Sequence, residues 1–583
     1  MKFERVGQWF KRIDPWHLAM AVVLAVALVA LAVQAADQYR WSDWGFGDAQ
    51  TMLSLRQWEE GGWFRNYFLF KPQGYAKVIE LFDDPELRHH AHGTCPGSSP
   101  RVGPRLWYTH YPAGYLIPYA ALFRIGLDSL FSVRMLSLLF SMGALVLMYL
   151  VFARITSPRV SFLAVLFYTL SIPFIGYADS LANQPIDDLL RFGFMLAVVL
   201  ATRAERPELQ KRWMIAAWVM EFLLSLTSFD SVFFIYAWLI GWDLLEKRGF
   251  RWRTYLVFAL APLSAHGLQF LQNVWYLGWS DAFIDIKDAF LLKHGADQGY
   301  NVGQGRLGVI ITSIFILFTN LYEPTPLLVA VLAAYGAYLL FLRRGDPEMP
   351  SAGLLGVLFL CGLAFVLVLP HAARMPYEAR QMIPFAALAA GGFFWSVLKT
   401  FTRSLHGTED GTPAPRLRIA VPYLVISGVL GTVFWYHHAF SEYVPIYDLQ
   451  KRGMQDIAFA QQLQKLKTRY EPVYFDLGGF DIYWDPTYVP GYPQILPLTE
   501  YYAGSRPILC FNDAEKVAND LITMVRKSPD RFSPIVIAKE QAAIEEVVRL
   551  LQRANMLSAP PQSVHSAMGM YALDLTDSLV WGR

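Results

Sequence analysis

The chain has 583 residues and carries 50 basic against 48 acidic side chains, a balance too even for a nucleic-acid binder. Hydrophobic residues make up 54% and charged residues only 17%, and the mean hydropathy is +0.29, which excludes disorder, collagen and coiled coil. Three cysteines exclude a disulfide scaffold. What is left is a polytopic α-helical membrane protein with a soluble part.

The first apolar run, about His17 to Ala36, is close to the ~20 residues needed to cross ~30 Å of hydrocarbon. Lys2, Arg5, Lys11 and Arg12 precede it, so it reads as a retained first helix with its N-terminus inside. It is longer than the ~7–15-residue core of a cleavable signal. Further runs sit near 130–153, 160–177, 189–203, 213–228, 231–246, 254–276, 325–342, 352–370, 382–400 and 419–437. Basic clusters at Arg154/Arg159, Arg203–Arg212, Lys247–Arg253, Arg343/Arg344 and Lys399–Arg418 all fall inside if the crossings alternate. The fold is read as carrying about eleven to thirteen spans; about eleven satisfy this rule, with 111–126 and 306–321 as re-entrant or interfacial helices rather than crossings.

Residues 37–129 form the first outer loop, and residues 1–440 the membrane domain. The tail, 441–583, is polar enough for a soluble domain outside the cytoplasm. Val473–Leu477 and Pro534–Ala538 read as buried strands, and 448–466, 513–527 and 539–555 as amphipathic helices, which together predict a small α/β domain.

Four outer segments hold residues that could do chemistry. In the first loop, Asp48 stands where a helix begins, with Met52, Leu55 and Trp58 as its apolar stripe. It is either the helix cap or a base aimed at the membrane surface. Tyr108-Thr-His110-Tyr111-Pro112 opens the segment 111–126, with the proline just inside the expected helix start. Asp187 and Asp188 enter an apolar helix, one turn from Arg191. Acids at such a depth are functional candidates, although a helix N-terminus also stabilises them. Asp230 caps a further turn on the same side. Finally, Arg374, Tyr377 and Arg380 lie on the outer face against the positive-inside bias. Guanidinium groups there suit either a phosphate clamp or lipid headgroups.

In order and spacing, these pieces resemble the GT-C superfamily of polyprenyl-phosphate-sugar-dependent glycosyltransferases, in particular its aminoarabinose-transferase and protein O-mannosyltransferase branch. There, an acid in the first outer loop precedes a helix bearing Arg and then Gly, which Asp48, Arg56 and Gly61 match within a residue. A His/Lys-x-Pro-Pro-like motif follows, here His110-Tyr111-Pro112-Ala113, and then a helix beginning with Asp, here Asp187/Asp188. The Leu226–Asp230 stretch, the approach to Pro384 and an extracytoplasmic C-terminal domain complete the pattern. The family's frequent Asp-Glu pair is Asp48-Ala49 here, so the resemblance calls for no cofactor, with a divalent cation an open addition.

The resemblance implies an inverting transfer of a monosaccharide from a polyprenyl-phosphate donor to a lipid, glycan or protein acceptor on the periplasmic side of a bacterial inner membrane. Asp48 would take the acceptor's proton. Arg374 and Arg380 would meet the departing phosphate. His110 and Arg56 would orient the donor phosphate or Asp48, Tyr111 and Tyr377 would help bind the donor, and Asp187, Asp188 or Asp230 would bind a sugar hydroxyl or the acceptor. A transporter or flippase of a lipid-linked sugar, without chemistry, is the rival reading; acids gathered at one face and the lack of a repeat count against it. A carbohydrate-binding scaffold is the third. The His89, His90, His92 and Cys95 patch lacks the spacing of a structural zinc site. Cys95 and Cys510 both fall outside, where a disulfide is allowed but not required. Neither a Walker A pattern nor a Gly-rich strand-to-helix turn is present, in keeping with a lipid rather than a nucleotide donor.

Overall fold

In a computed structural model of the chain, the described residues are 14–39, 41, 45–71, 74–83, 102, 107–293, 305–322, 335–336, 348–370, 372, 376–405, 454–478, 480, 497–511, 513–561, 564–567 and 569–581. The expected runs at 325–342 and 419–437 lie almost wholly outside these, as do Arg374, Cys95 and the histidines beside it. The chain divides into two compact units, Met1–Gln38 with Phe131–Gln269 and Phe290–Val444, and Tyr39–Leu130 with Phe270–Ala289 and Pro445–Arg583.

The first unit is helical and belongs to a membrane protein. Among the described residues of the whole chain, Pro15–Ala36, Leu130–Ile155, Trp252–Leu277 and Glu378–Lys399 are long and apolar enough to cross a bilayer. Pro158–Thr169, Ser231–Leu245, Arg306–Phe318 and Ala352–Val368 are apolar but shorter. The helix Pro15–Ala36 shows why composition is so apolar: Val22, Val26, Val29 and Val33 stand exposed at helical spacing, a face that only lipid would cover. The expected span 160–177 is corrected. Its helix ends at Thr169 and a separate single turn, Ile172–Ile175, follows. Pro173 has no N–H to give and disfavours a helical residue before it, so one continuous helix cannot run through.

Close packing in this unit depends on small residues. A Cβ on Gly391 would lie 2.6 Å from the Val160 carbonyl oxygen and 2.7 Å from the Ala164 nitrogen, so the helices Pro158–Thr169 and Ile383–Leu405 touch backbone to backbone there. Buried Arg134 acts as a polar bolt. Its guanidinium donates to Asp179 through Nε at 2.9 Å and through Nη2, and to the carbonyls of Ala35 and Asp37 at 3.1 and 2.9 Å. The charge is paired and its donors largely used, which is what makes its burial tolerable.

The second unit holds a five-stranded sheet made of β1 (Pro472–Leu477), β2 (Ile508–Cys510), β3 (Ser533–Ala538), β4 (Val564–Ala567) and β5 (Met570–Asp574). Spatial order is β2-β1-β3-β5-β4, with β1 parallel to β2 and β3, and β5 antiparallel to β3 and β4. Helices Ala514–Lys527 and Gln541–Arg553 follow β2 and β3, each crossing over to a strand that runs in the same direction one place beyond its neighbour, β3 and β4 respectively. Val517, Leu521, Met524 and Val525 form the buried stripe of the first, and Ile544, Val547 and Leu551 that of the second. Asp513 caps the first, its Oδ1 accepting from the Lys516 N–H at 2.8 Å.

The first loop and the tail share one core. Leu69, Ala76, Ile79 and Trp107 are buried in the same cluster as Val473, Phe475, Leu521 and Val536. Polar contacts fasten the seam. Trp41 Nε1 donates to Tyr502 Oη at 3.0 Å, and the backbone N–H groups of Gly74 and Ile508 donate to the two oxygens of Glu500, each at 2.9 Å. Burial pushes the Glu500 carboxyl up to about 8 despite those two donors and the nearby Lys71. At Gly74 a Cβ would stand 2.4 Å from the Arg506 carbonyl carbon, so the loop backbone lies directly on that of the tail.

Candidate functional site

In the helical unit, the helix Gln184–Arg203 opens with the two acids, and both are buried. Asp188 is the hub. Its Oδ1 accepts from Arg191 Nη1 at 3.0 Å, and its Oδ2 from Tyr168 Oη at 2.8 Å and from Arg380 Nη2. One carboxylate thus sits between two guanidinium groups, from the helix itself and from the 3-10 turn Pro376–Met382. Asp187 turns the other way. Its Oδ2 accepts from Asn183 Nδ2 at 2.7 Å and its Oδ1 from Thr227 Oγ1. The expected pairing of Arg191 with one of the two acids is therefore present, with Asp188.

Asn183, Asp187, Asp188, Arg191 and Arg380 line a small polar pocket, completed by Gln184, Ser228, Ser231, Glu378 and Gln381. Arg380 has two N–H positions left over: Nε and Nη1 are buried with no hydrogen-bond partner among the described residues. So are Arg191 Nε and the amide oxygens of Gln184 and Gln381. Buried donors and acceptors without partners are uncommon, and here both kinds face one small polar space. Such a wall suits a ligand that offers hydroxyl groups or oxyanions.

Arg380 is ion-paired with Asp188, which neutralises part of its charge. Its expected partner Arg374 and the side chain of Tyr377 lie outside the described residues. Asp230 stands in the cap position of the helix Ser231–Leu245, but its backbone is helical and its side chain makes no cap bond. Ser228 does that work instead, its Oγ accepting from the N–H groups of Asp230 and Ser231 at 3.2 and 3.3 Å.

In the other unit, Asp48 lies in the first turn of the helix Gly45–Gly61, three residues inside its start, rather than at the cap. It is completely buried. The Tyr115 hydroxyl lies near Thr51 and Asp48; burial raises its ionisation above the usual phenol range, the Thr51 hydrogen bond lowers it, and the Asp48 charge raises it again. Arg56 lies two turns along the same helix, roughly 12 Å farther at 1.5 Å per residue. It stacks over the Tyr501 ring at 5.2 Å instead of reaching toward Asp48.

His110 is placed by a partner that the sequence reading does not name. Its Nε2 bonds Asp285 Oδ1 at 2.8 Å, while Thr109 Oγ1 donates to Asp285 Oδ2 at 2.5 Å. Asn273 Nδ2 donates to the Thr109 carbonyl at 3.1 Å. Tyr111 follows, half-buried, in the stretch before the next helix. That helix starts at Leu116 rather than at 111, and the proline in its first turn is Pro118, so Pro112 belongs to the preceding loop. At nine residues it spans about 13 Å, too short to cross.

Asp285 escapes sequence reading because its helix, Trp279–Lys293, is inside out. Trp279 and Phe283 are exposed and the acid is buried. The one available signal is an acid on the face opposite the aromatics of a short helix just after an apolar run. Among the described residues, no cluster of three His, Cys, Asp or Glu side chains is close enough to hold a metal ion.

No protein-family model matches the sequence, and no curated protein matches it either. Solved structures do. ArnT from Cupriavidus metallidurans bound to undecaprenyl phosphate aligns with a TM-score of 0.57 at 13% identity, over 95% of this chain and 97% of that one. The apo form of the same protein aligns with a TM-score of 0.51 at 14% identity, over 97% and 99%. A weaker likeness, TM-score 0.48 at 13% identity over 97% of this chain and 74% of the other, is to the oligosaccharyltransferase AglB from Archaeoglobus fulgidus in complex with an inhibitory peptide and a dolichol-phosphate. At such identities the likeness is one of architecture alone, and over nearly the whole chain the fold is that of the ArnT structures.

Proposed function

We propose that the protein is an integral-membrane inverting glycosyltransferase that moves a hexose or pentose from a polyprenyl-phosphate donor to a lipid, glycan or protein acceptor. The observation that carries this reading is Asp48: a fully buried carboxylate in the first turn of the helix that opens the first loop, in a chain with the fold of ArnT bound to undecaprenyl phosphate. Asp48 takes the proton of the acceptor hydroxyl, the acceptor oxygen attacks the anomeric carbon from the face opposite the phosphate, and the polyprenyl phosphate leaves with the bonding pair. His110 contacts the lipid phosphate. Arg380, with its spare N–H groups, and the amide oxygens of Gln184 and Gln381 bind hydroxyl or phosphate oxygens in the pocket. Asp187 and Asp188 hold that pocket's polar wall.

In this reading residues 1–440 carry the transfer and 441–583 lie in the periplasm, with the N-terminus cytoplasmic and the membrane a bacterial inner membrane. No cofactor is needed; transfer unaffected by a chelator is the expected result. The purified protein, supplied with a mixture of polyprenyl-phosphate sugars, will transfer one of them. Asp48→Asn should lower the rate by about 100- to 10,000-fold, the usual range for a lost general base, at unchanged stability. A wild-type rate in Asp48→Asn removes the base. Comparing glycolipids and glycans by mass spectrometry in cells with and without the gene identifies sugar and acceptor together.

A further inference from the structure

The network around His110 carries one step more. A carboxylate can only accept, so the 2.8 Å contact puts a proton on His110 Nε2 and fixes the plane of the ring. Both oxygens of Asp285 are committed to the same loop, one to the His110 ring and one to the Thr109 hydroxyl. Asn273, just before the helix that carries Asp285, holds the Thr109 carbonyl from the same side. Asp285 is fully buried, while the His110 side chain keeps 13% of its surface exposed. The acid therefore meets the imidazole from within and leaves the rest of the ring as its accessible edge. The helix supplying the acid turns Trp279 and Phe283 outward and Asp285 inward.

We propose that Asp285 is the positioning residue for His110, orienting its imidazole toward the lipid phosphate with Thr109 and Asn273 as the brace. This rests on the reading of His110 as the phosphate-contacting residue. Partners that orient a working histidine typically matter by about 10- to 100-fold where the histidine binds a metal, and we expect the lower end of that range here.

The test uses the full-length protein in nanodiscs and undecaprenyl phosphate as the probe. Asp285→Asn should weaken its Kd about 10-fold, His110→Ala by at least as much, and the double variant no more than His110→Ala, since the acid acts only through the ring. His110→Lys supplies a cation that needs no such orientation, so adding Asp285→Asn to it should leave Kd unchanged. That comparison also holds if Asp285→Asn alone folds poorly. Wild-type affinity in Asp285→Asn, additive losses in the double variant, or a further loss in the Lys background would each overturn the positioning role while leaving His110 on the phosphate. Wild-type affinity in His110→Ala would remove the phosphate contact itself, and the proposal with it.

Discussion

Asp188 offers the sharpest test of how the pocket is built. It accepts from Arg191 at 3.0 Å, from Tyr168 at 2.8 Å and from Arg380, with all the participants buried. Taking away the carboxylate leaves two guanidinium groups out of water without their direct ion-pair partner. Breaking a buried pair from one end costs roughly 3–5 kcal/mol, and two cations depend on this one acid. Asp188→Ala is therefore expected at or above the top of that range, and Asp188→Asn, which can still accept hydrogen bonds, below it. Denaturant unfolding of the purified protein in detergent, followed by near-ultraviolet circular dichroism, measures both. A triple variant, Asp188→Leu with Arg191→Met and Arg380→Met, should regain most of the lost stability, because an apolar replacement of the whole cluster leaves no charge behind. It should stay inactive. Asp188→Ala at wild-type stability would refute the claim that this acid neutralises the two arginines, and full activity in the triple variant would show that the pocket serves no substrate.

Three further outcomes follow from the geometry. Glu500 has its carboxyl raised to about 8 by burial, so its contribution to stability is complete below the unfolded value near 4.5 and is lost as pH climbs through 8. Thermal midpoints measured from pH 5 to 9 should fall across that window in the wild type and fall less in Glu500→Gln. Gly74→Ala forces a methyl to within 2.4 Å of the Arg506 backbone and should cost about 1–3 kcal/mol of stability, read by urea unfolding. Ser228→Ala removes the acceptor at the start of the helix Ser231–Leu245 and should cost roughly 1 kcal/mol, while Asp230→Asn, at a position that makes no cap bond, should not reproduce that loss.

Local pattern made much of the tail readable in advance. The predicted strands 473–477 and 534–538 differ from β1 and β3 by one residue at the start, and the helices 513–527 and 539–555 from the observed ones by no more than two at either end. Period and capping are written in neighbouring residues, so they survive without knowledge of the fold. The Asp188–Arg191 pair was legible for the same reason, being one helical turn. Arg380 on Asp188, Asp285 on His110 and Gly74 against Arg506 were not. Each joins residues far apart in the chain, and no periodicity records which distant segment will arrive. Ser228 in place of Asp230 is a subtler case: both residue types can cap, and only the backbone angles decide which one does.

The shared core of Leu69, Trp107, Val473 and Phe475 has a consequence for biogenesis. Synthesis delivers residues 39–130 long before 445–583, so the early segment must wait, its apolar side chains uncovered, until the end of the chain emerges. Expression of the last hundred and forty or so residues alone should then yield a fragment that aggregates, whereas supplying the early segment as a separate chain should rescue it.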